Sequence, residues 1–408
     1  MCSFALLGGV DEIRRKVPTS EILFPSEVES ASKFFIKNPR GRLALLVQER
    51  LSNAQLMMIL LPLILATHIL SGPSYAAQYA KQDAWLSILL SSLTGFWSVL
   101  AMTSLALRYP GMTIIEYSTK ILGKWIGKLL GVAYTYFLFI FPATVTDEAM
   151  SYITLFSNPH TPRMVTIALF LTLCGVAAWL GIETIARSAE VLTPINAVLV
   201  LITLLMLIPD MKPELLQPVL GHGYAPIFQG AIIPSGWMGE FVFAGFLLPF
   251  LTDAKKARYY TLSAVGTTTV IMMTITLVTT MVLGPLTAKF AFPLNGAIRY
   301  VSFGGVVERI DALLLGVWIF GGFIKDAVFL WMFCLCLSQL FGIKQYRALV
   351  VPVTLISIVG SLWFFTNAPD MTKFLMYTFP ELSFVLDILV PTLLWIIDSL
   401  RRWRIKTI

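Results

Sequence analysis

The sequence predicts an all-α polytopic membrane protein of about ten transmembrane helices, arranged as a 5+5 inverted repeat in which helices 1 and 6 are broken. Three observations predict it. The 408 residues are 57% hydrophobic and only 13% charged, with a mean hydropathy of +0.79. That balance is foreign to soluble domains, and the long apolar runs do not alternate as membrane strands would. Two apolar stretches in corresponding positions are interrupted by helix breakers: His68-Ile69-Leu70-Ser71-Gly72-Pro73-Ser74 and Pro234-Ser235-Gly236-Trp237-Met238-Gly239-Glu240. Finally, Lys and Arg gather in alternate connecting segments, as the positive-inside rule requires.

Residues 1–50 are polar and of mixed charge, without the apolar core and small-residue site of a secretory signal. They read as a cytoplasmic N-terminal extension, with Phe34-Phe35-Ile36 between Lys33 and Lys37 as a segment suited to a membrane surface. Residues 51–400 read as the transmembrane domain, with spans near 54–72, 84–106, 126–147, 164–181, 188–208, 230–251, 260–284, 306–341, 349–366 and 383–400. Most of these hold the roughly 20 apolar residues that a crossing needs. Residues 401–408 form a basic cytoplasmic tail.

With the N-terminus inside, the inner segments carry Lys33, Lys37, Arg40, Arg42 and Arg50, then Arg108, Lys120, Lys124 and Lys128, then Arg187, then Lys255, Lys256 and Arg258, then Lys344 and Arg347, and the tail Arg401, Arg402, Arg404 and Lys406. The outer loops carry only Lys81, Arg163, Lys212, Lys289, Arg299 and Lys373. Both termini are therefore expected in the cytoplasm, and one span more or fewer would scramble the pattern. The loops near 209–229 and 285–305 are rich in Gly and Pro and are expected to be structured. Five spans is an odd number, so spans six to ten (about 230–400) would be inverted relative to spans one to five (about 54–208).

Unwound backbone at bilayer depth survives only where it lines a cavity or a ligand site. Ser71, Gly72, Pro73 and Ser74 in the first break, and Ser235, Gly236, Trp237, Gly239 and Glu240 in the second, are thus the candidate ligand-binding residues. A half-helix starting near Ser74 would offer N–H groups to a carboxylate. The plainer reading is a proline kink and small-residue packing. Glu240 either receives a ligand ammonium or carries a proton, unless it is simply paired with another span. Lys325 and His68 join Glu240 as candidate ion- or proton-coupling residues. The structural alternative is pairing with Asp326 or snorkelling for Lys325, and packing for His68. Glu308, Arg309 and Asp311 read as an interfacial cluster, and Asp147 and Glu148 as groups facing water at the end of span three.

Cys2, Cys174, Cys334 and Cys336 suit small core positions, and His68, His160 and His222 do not cluster, so no metal site is expected. The net charge of +7 belongs to the inner loops and does not suggest nucleic acid. Nucleophile elbows and phosphate-cradling loops are absent, and nothing points to an enzyme or a cofactor.

Three stretches carry a family resemblance: Ser52-Asn53-Ala54-Gln55; Gly239-Glu240-Phe241 through Leu247-Leu248-Pro249-Phe250; and Glu308-Arg309-Ile310-Asp311-Ala312 through Phe323-Ile324-Lys325. In their order and spacing, over about residues 50–400, the chain resembles the amino acid–polyamine–organocation superfamily. More narrowly it resembles the endospore germination permeases, the B subunits of nutrient germinant receptors. The first 45 or so residues depart from that pattern. The resemblance implies a subunit that senses a small nutrient, an amino acid by expectation, at a site between spans one, three, six and eight. It also implies the receptor's A subunit and C lipoprotein as partners, and the spore inner membrane as the location. In related sodium-coupled folds a cation sits between spans one and eight, where Lys325 would replace it. The alternative is a proton-coupled amino-acid transporter of the same superfamily.

Overall fold

The computed structural model describes residues 35–37, 43–45, 49–156, 162–300, 311–365 and 367–406. The chain divides into two compact units, Met1–Gln48 and Glu49–Ile408. In the first, β1 (Phe35–Lys37) and β2 (Leu43–Leu45) pair antiparallel, with Ile36 opposite Ala44. Phe35 and Ile36 are thus strand residues; Phe34 and most of the rest of the expected extension lie outside the described residues, as do Glu308 and Arg309.

In the second unit, nine described segments are long and apolar enough to cross a membrane. The first, Asn53–Arg108, has 56 residues, about 84 Å of helix against a hydrocarbon core of about 30 Å. It is in fact two helices: α1 (Asn53–Ala80), a 3₁₀ turn at Lys81–Asp83, and α2 (Ala84–Arg108). Lys81 makes the reversal with φ 52°. The later chain proves the reversal. Gly230 lies between Ala76 and Ser87, while His68 stacks on Trp237 and Thr94 bonds the Ser235 carbonyl. Going from 230 to 237, α1 is met at falling numbers and α2 at rising numbers. Ten crossings therefore lie among the described residues.

Ser52 starts α1 with a capping box: its hydroxyl accepts from Gln55 N–H at 3.1 Å, and the Gln55 side chain accepts from Ser52 N–H at 2.9 Å. α1 then runs without interruption through Ser71–Ser74. The expected break of span one appears only as Pro62 and Pro73 inside a continuous helix. Each proline removes a single N–H donor, and neighbouring helices enclose the stretch, so the defect is tolerated.

A short helix that the hydropathy does not announce, α3 (Ile114–Leu122), follows, capped by Thr113 and Glu116. α4 (Lys124–Phe156) is longer than the expected third span. Its extension carries Asp147 and Glu148 into the protein, where both are buried rather than facing water. Asp147 pairs with Arg163 at the start of α5 (Arg163–Leu180). α6 (Ile182–Leu207) leads into a connection built on two 3₁₀ turns, Ile208–Asp210 and Pro213–Leu216, as the Gly/Pro content suggested.

α7 (Ala225–Gly239) gives way at Glu240 to a 3₁₀ stretch (Glu240–Phe243), one α turn, α8 (Ala244–Leu247), and a second 3₁₀ turn (Leu248–Phe250). The Glu240 N–H returns to the Trp237 carbonyl three residues back. The break expected across Pro234–Glu240 does not appear there: the helix continues through Gly239, and the change to 3₁₀ geometry begins only at Glu240. α9 (Ala257–Leu283), α10 (Pro293–Tyr300) in the connection that follows it, α11 (Asp311–Phe341) and α12 (Val350–Trp363) come next. The last span begins earlier than expected, at α13 (Ala368–Lys373), and holds two π turns, Phe374–Thr378 and Phe384–Leu389, around α14 (Phe379–Ser383) before α15 (Val390–Lys406).

Burial identifies the centre. The apolar window is 89% buried in Ala225–Phe250 and 72% in Asn53–Arg108, but 22% in Ile182–Asp210. α1 and α7 are therefore innermost and α6 faces lipid. At one end they are joined: Leu51 N–H donates to the Phe250 carbonyl at 2.8 Å, and Thr252 N–H to the Leu51 carbonyl at 3.0 Å.

Candidate functional site

α4 presents Phe137, Phe141, Thr144, Val145 and Glu148 along one face, the three-to-four-residue spacing of a helix. That face meets Thr67 of α1, Trp237 of α7, Glu240 of the following 3₁₀ stretch, Lys325 of α11, and Phe374, Leu375 and Phe379 of the last span around one cavity. Its volume, counted over positions open to a water centre, is about 20 Å³. A single water needs about 10–15 Å³ on that measure, whereas sites for small ligands are far larger. The cavity has room for at most a water or two.

Lys325 dominates its electrostatics. The side chain is fully buried, and Nζ donates to Glu240 Oε2 at 2.9 Å and to Thr67 Oγ1 at 2.7 Å. The rings of Phe141 and Phe329 lie 5.8 and 5.6 Å from the ammonium. Lys325 thus pairs with Glu240 and not with its neighbour Asp326, which accepts instead from Thr146 Oγ1 at 2.8 Å. Nor does it snorkel: its amine end stays buried, where Glu240 and Thr67 both accept from it.

Glu148 lines the same cavity. Its Oε1 accepts from Ser71 Oγ at 2.9 Å, while Oε2 meets no protein partner. His68 stacks on Trp237 at 5.2 Å between centroids, and neither imidazole nitrogen has a protein hydrogen bond. Tyr75 and Phe379 complete the wall on the Trp237 ring.

The residues expected at the site therefore separate. Trp237, Glu240 and Lys325 line the cavity, and His68 and Ser71 touch its lining. Gly72 is explained by packing, since a Cβ there would strike the His68 ring. Pro73 lies inside α1, and Ser74 donates to the Ala288 carbonyl at 3.4 Å. The carboxylate receptor expected from a half-helix at Ser74 is accordingly not formed. Ser235 is half-buried, with its carbonyl bonded by Thr94 at 3.0 Å. Gly236 makes room for Phe379, and Gly239 faces Asp387. Sequence reading missed Thr67, Glu148 and the Phe137/Phe141/Phe379 wall. The signal for Glu148 was that apolar residues resume after it, at Ala149 and Met150. Among the described residues no group of three or more His, Cys, Asp or Glu is placed to hold a metal ion.

The structure resembles a nucleobase-cation-symport-1 family transporter, Mhp1, in a closed conformation with bromovinylhydantoin bound (TM-score 0.57, 14% identity, 83% of this chain and 78% of that one). It also resembles a Na⁺-coupled sialic acid symporter in a substrate-bound outward-open state (0.52, 11%, 84% and 80%). At these identities the likeness establishes the transporter fold alone. In sequence, the chain is 28% identical to spore germination protein YndE of Bacillus subtilis (strain 168) over 72% of this chain and 82% of that one. It is 27% identical to spore germination protein KB of the same organism over 78% and 86%. A family model described as spore germination protein, the spore permeases, matches residues 50–369. The first 49 residues fall outside that match. The chain is a multi-pass membrane protein with a transporter fold and belongs to the spore germination protein family of permeases.

Proposed function

We propose that the chain is the nutrient-sensing, permease-like subunit of a spore germinant receptor, with an amino acid as its nutrient. One observation carries the reading: a fully buried Lys325–Glu240 pair sits on the wall of a small, aromatic-lined cavity between α1, α4, α7 and α11. A buried ion pair in a membrane is costly unless it is used. It is a fitting anchor for a small charged ligand. Because the cavity is this small, a ligand acts by shifting the population towards a conformation with a larger site, and partner subunits read that shift. The partners in this reading are the A subunit and the C lipoprotein. Both termini are cytoplasmic, the location is the spore inner membrane, and residues of about 54–208 and 230–400 form the inverted halves. The protein carries out no reaction of its own.

The test combines two measurements. Trp237→Ala, introduced into the intact receptor, should abolish nutrient-triggered germination while leaving assembly unchanged. The purified protein in proteoliposomes should not concentrate a labelled amino acid under a pH gradient. Sustained uptake would replace the sensing reading with a proton-coupled amino-acid transporter.

A further inference from the structure

Glu240 takes the direct ion pair with Lys325, whereas the second carboxylate at the cavity feels that ammonium only from a distance: Glu148 is 1% exposed, and the bond it accepts is from the neutral Ser71 hydroxyl. We propose that Glu148 is the residue that receives the ligand's ammonium group, which makes the ligand a small primary amine, either a simple alkylamine or an amino acid. The inference rests on the central cavity being the ligand site.

Four features support it. Glu148 Oε2 is a buried, unpartnered acceptor on the cavity lining, the type of group that gains most from an incoming charged donor. The same cavity is lined by Trp237, Phe141 and Phe379, and aromatic rings of this kind attract a cation. Ser71 fixes the carboxylate, and Ser71 lies toward the Ala80 end of α1, away from the Leu51 junction. Glu148 and the Lys325–Glu240–Thr67 cluster therefore meet α1 one helical turn apart, at Ser71 and Thr67, on the lining of the same cavity. Finally, an ammonium has three N–H donors, and Lys325 uses two on Glu240 and Thr67. Its third is available to a ligand carboxylate. An amino acid would be held at both charges, and an alkylamine at Glu148 alone. A purely structural Glu148, held neutral and bonded to Ser71, is the competing account. Glutamine would serve that role equally well.

The experiment measures thermal stabilisation of the purified full-length protein by glycine, L-alanine, L-valine, ethylamine, propylamine, propionate, glucose and inosine. Wild type, Glu148→Gln and Trp237→Ala are compared. Expected is binding of at least one ammonium-bearing probe, weakened about 10- to 100-fold in Glu148→Gln, the loss typical of a charged hydrogen bond. Alanine binding with weaker ethylamine binding identifies the amino acid as the ligand class. Similar binding of both identifies the simple amine. If Glu148→Gln does not fold, Glu148→Asp, which keeps the charge but withdraws it by one methylene, should weaken the same probes. Unaltered affinity in the Glu148 variants overturns the proposal. So does binding confined to propionate, glucose or inosine. In either case loss of binding in Trp237→Ala would leave the cavity reading standing. No binding by any probe, or binding indifferent to Trp237→Ala, overturns both.

Discussion

Lys325 was visible in the sequence as a charge inside an apolar run, and so was Glu240. Their pairing was not, because 85 residues separate them and one sequence holds no record of long-range contact. The pair sets a stability prediction. Lys325→Met leaves the Glu240 carboxylate buried and uncompensated, at a cost of about 3–5 kcal/mol, whereas Lys325→Met/Glu240→Gln should regain most of that loss. Denaturation of the three proteins in one detergent checks it. A double variant no better than the single would mean that the two charges are not coupled. Glu148 was hidden for a different reason. The polar run Thr144-Val145-Thr146-Asp147-Glu148 looks like the end of a span, and only the continuation of α4 to Phe156 turns it inward.

Breaks in helices proved harder to read than charges in them. Gly and Pro report a weakness in the backbone, but surrounding packing decides whether the helix yields. α1 does not yield at Gly72-Pro73, while α7 changes pitch at Glu240. Pro73→Ala restores an N–H that can donate to the Ile69 carbonyl, so it should raise the thermal stability of the ligand-free protein. If Pro73 also serves as the bending point, the nutrient response of the receptor should fall in the same variant. Lower stability would contradict a relaxed continuous α1. At Gly236 a Cβ would stand 2.7 Å from Phe379 Cε1, in a wall already filled by Trp237 and Phe141. Gly236→Ala should therefore cost about 1–3 kcal/mol by overpacking, with Gly236→Ala/Phe379→Leu less affected than the sum of the single changes. The π turns at Phe374–Thr378 and Phe384–Leu389 have no sequence signature, since they arise from how the last span packs. Phe374, Leu375 and Phe379 form the cavity wall within and beside the first of them, at the type of irregularity often found where a helix has a functional task.

The architecture of the whole molecule was the most legible level. Apolar length and the distribution of Lys and Arg led to ten crossings, and the described chain has them once Lys81 is recognised as a reversal. Side-specific labelling tests the orientation proposed from those charges. In a Cys2→Ser background, Lys212→Cys should react with an impermeant maleimide added outside, and Lys120→Cys only after the membrane is opened. Both positions are exposed, and Cys174, Cys334 and Cys336 are buried. The reverse pattern would invert the topology. The paired hydrogen bonds at Leu51 have a mechanical consequence. They rivet the start of the α1 segment to the end of the α7–α8 segment, and at the far end Gly230 merely packs against Ala76 and Ala80. Two rods pinned at one end open like a pair of compasses. Thr67 lies about 24 Å along α1 from the rivet, at 1.5 Å per residue, so a swing of about 10° would part the legs there by about 4 Å. The pinned end would hardly move, and the gap would widen steadily towards Ala80.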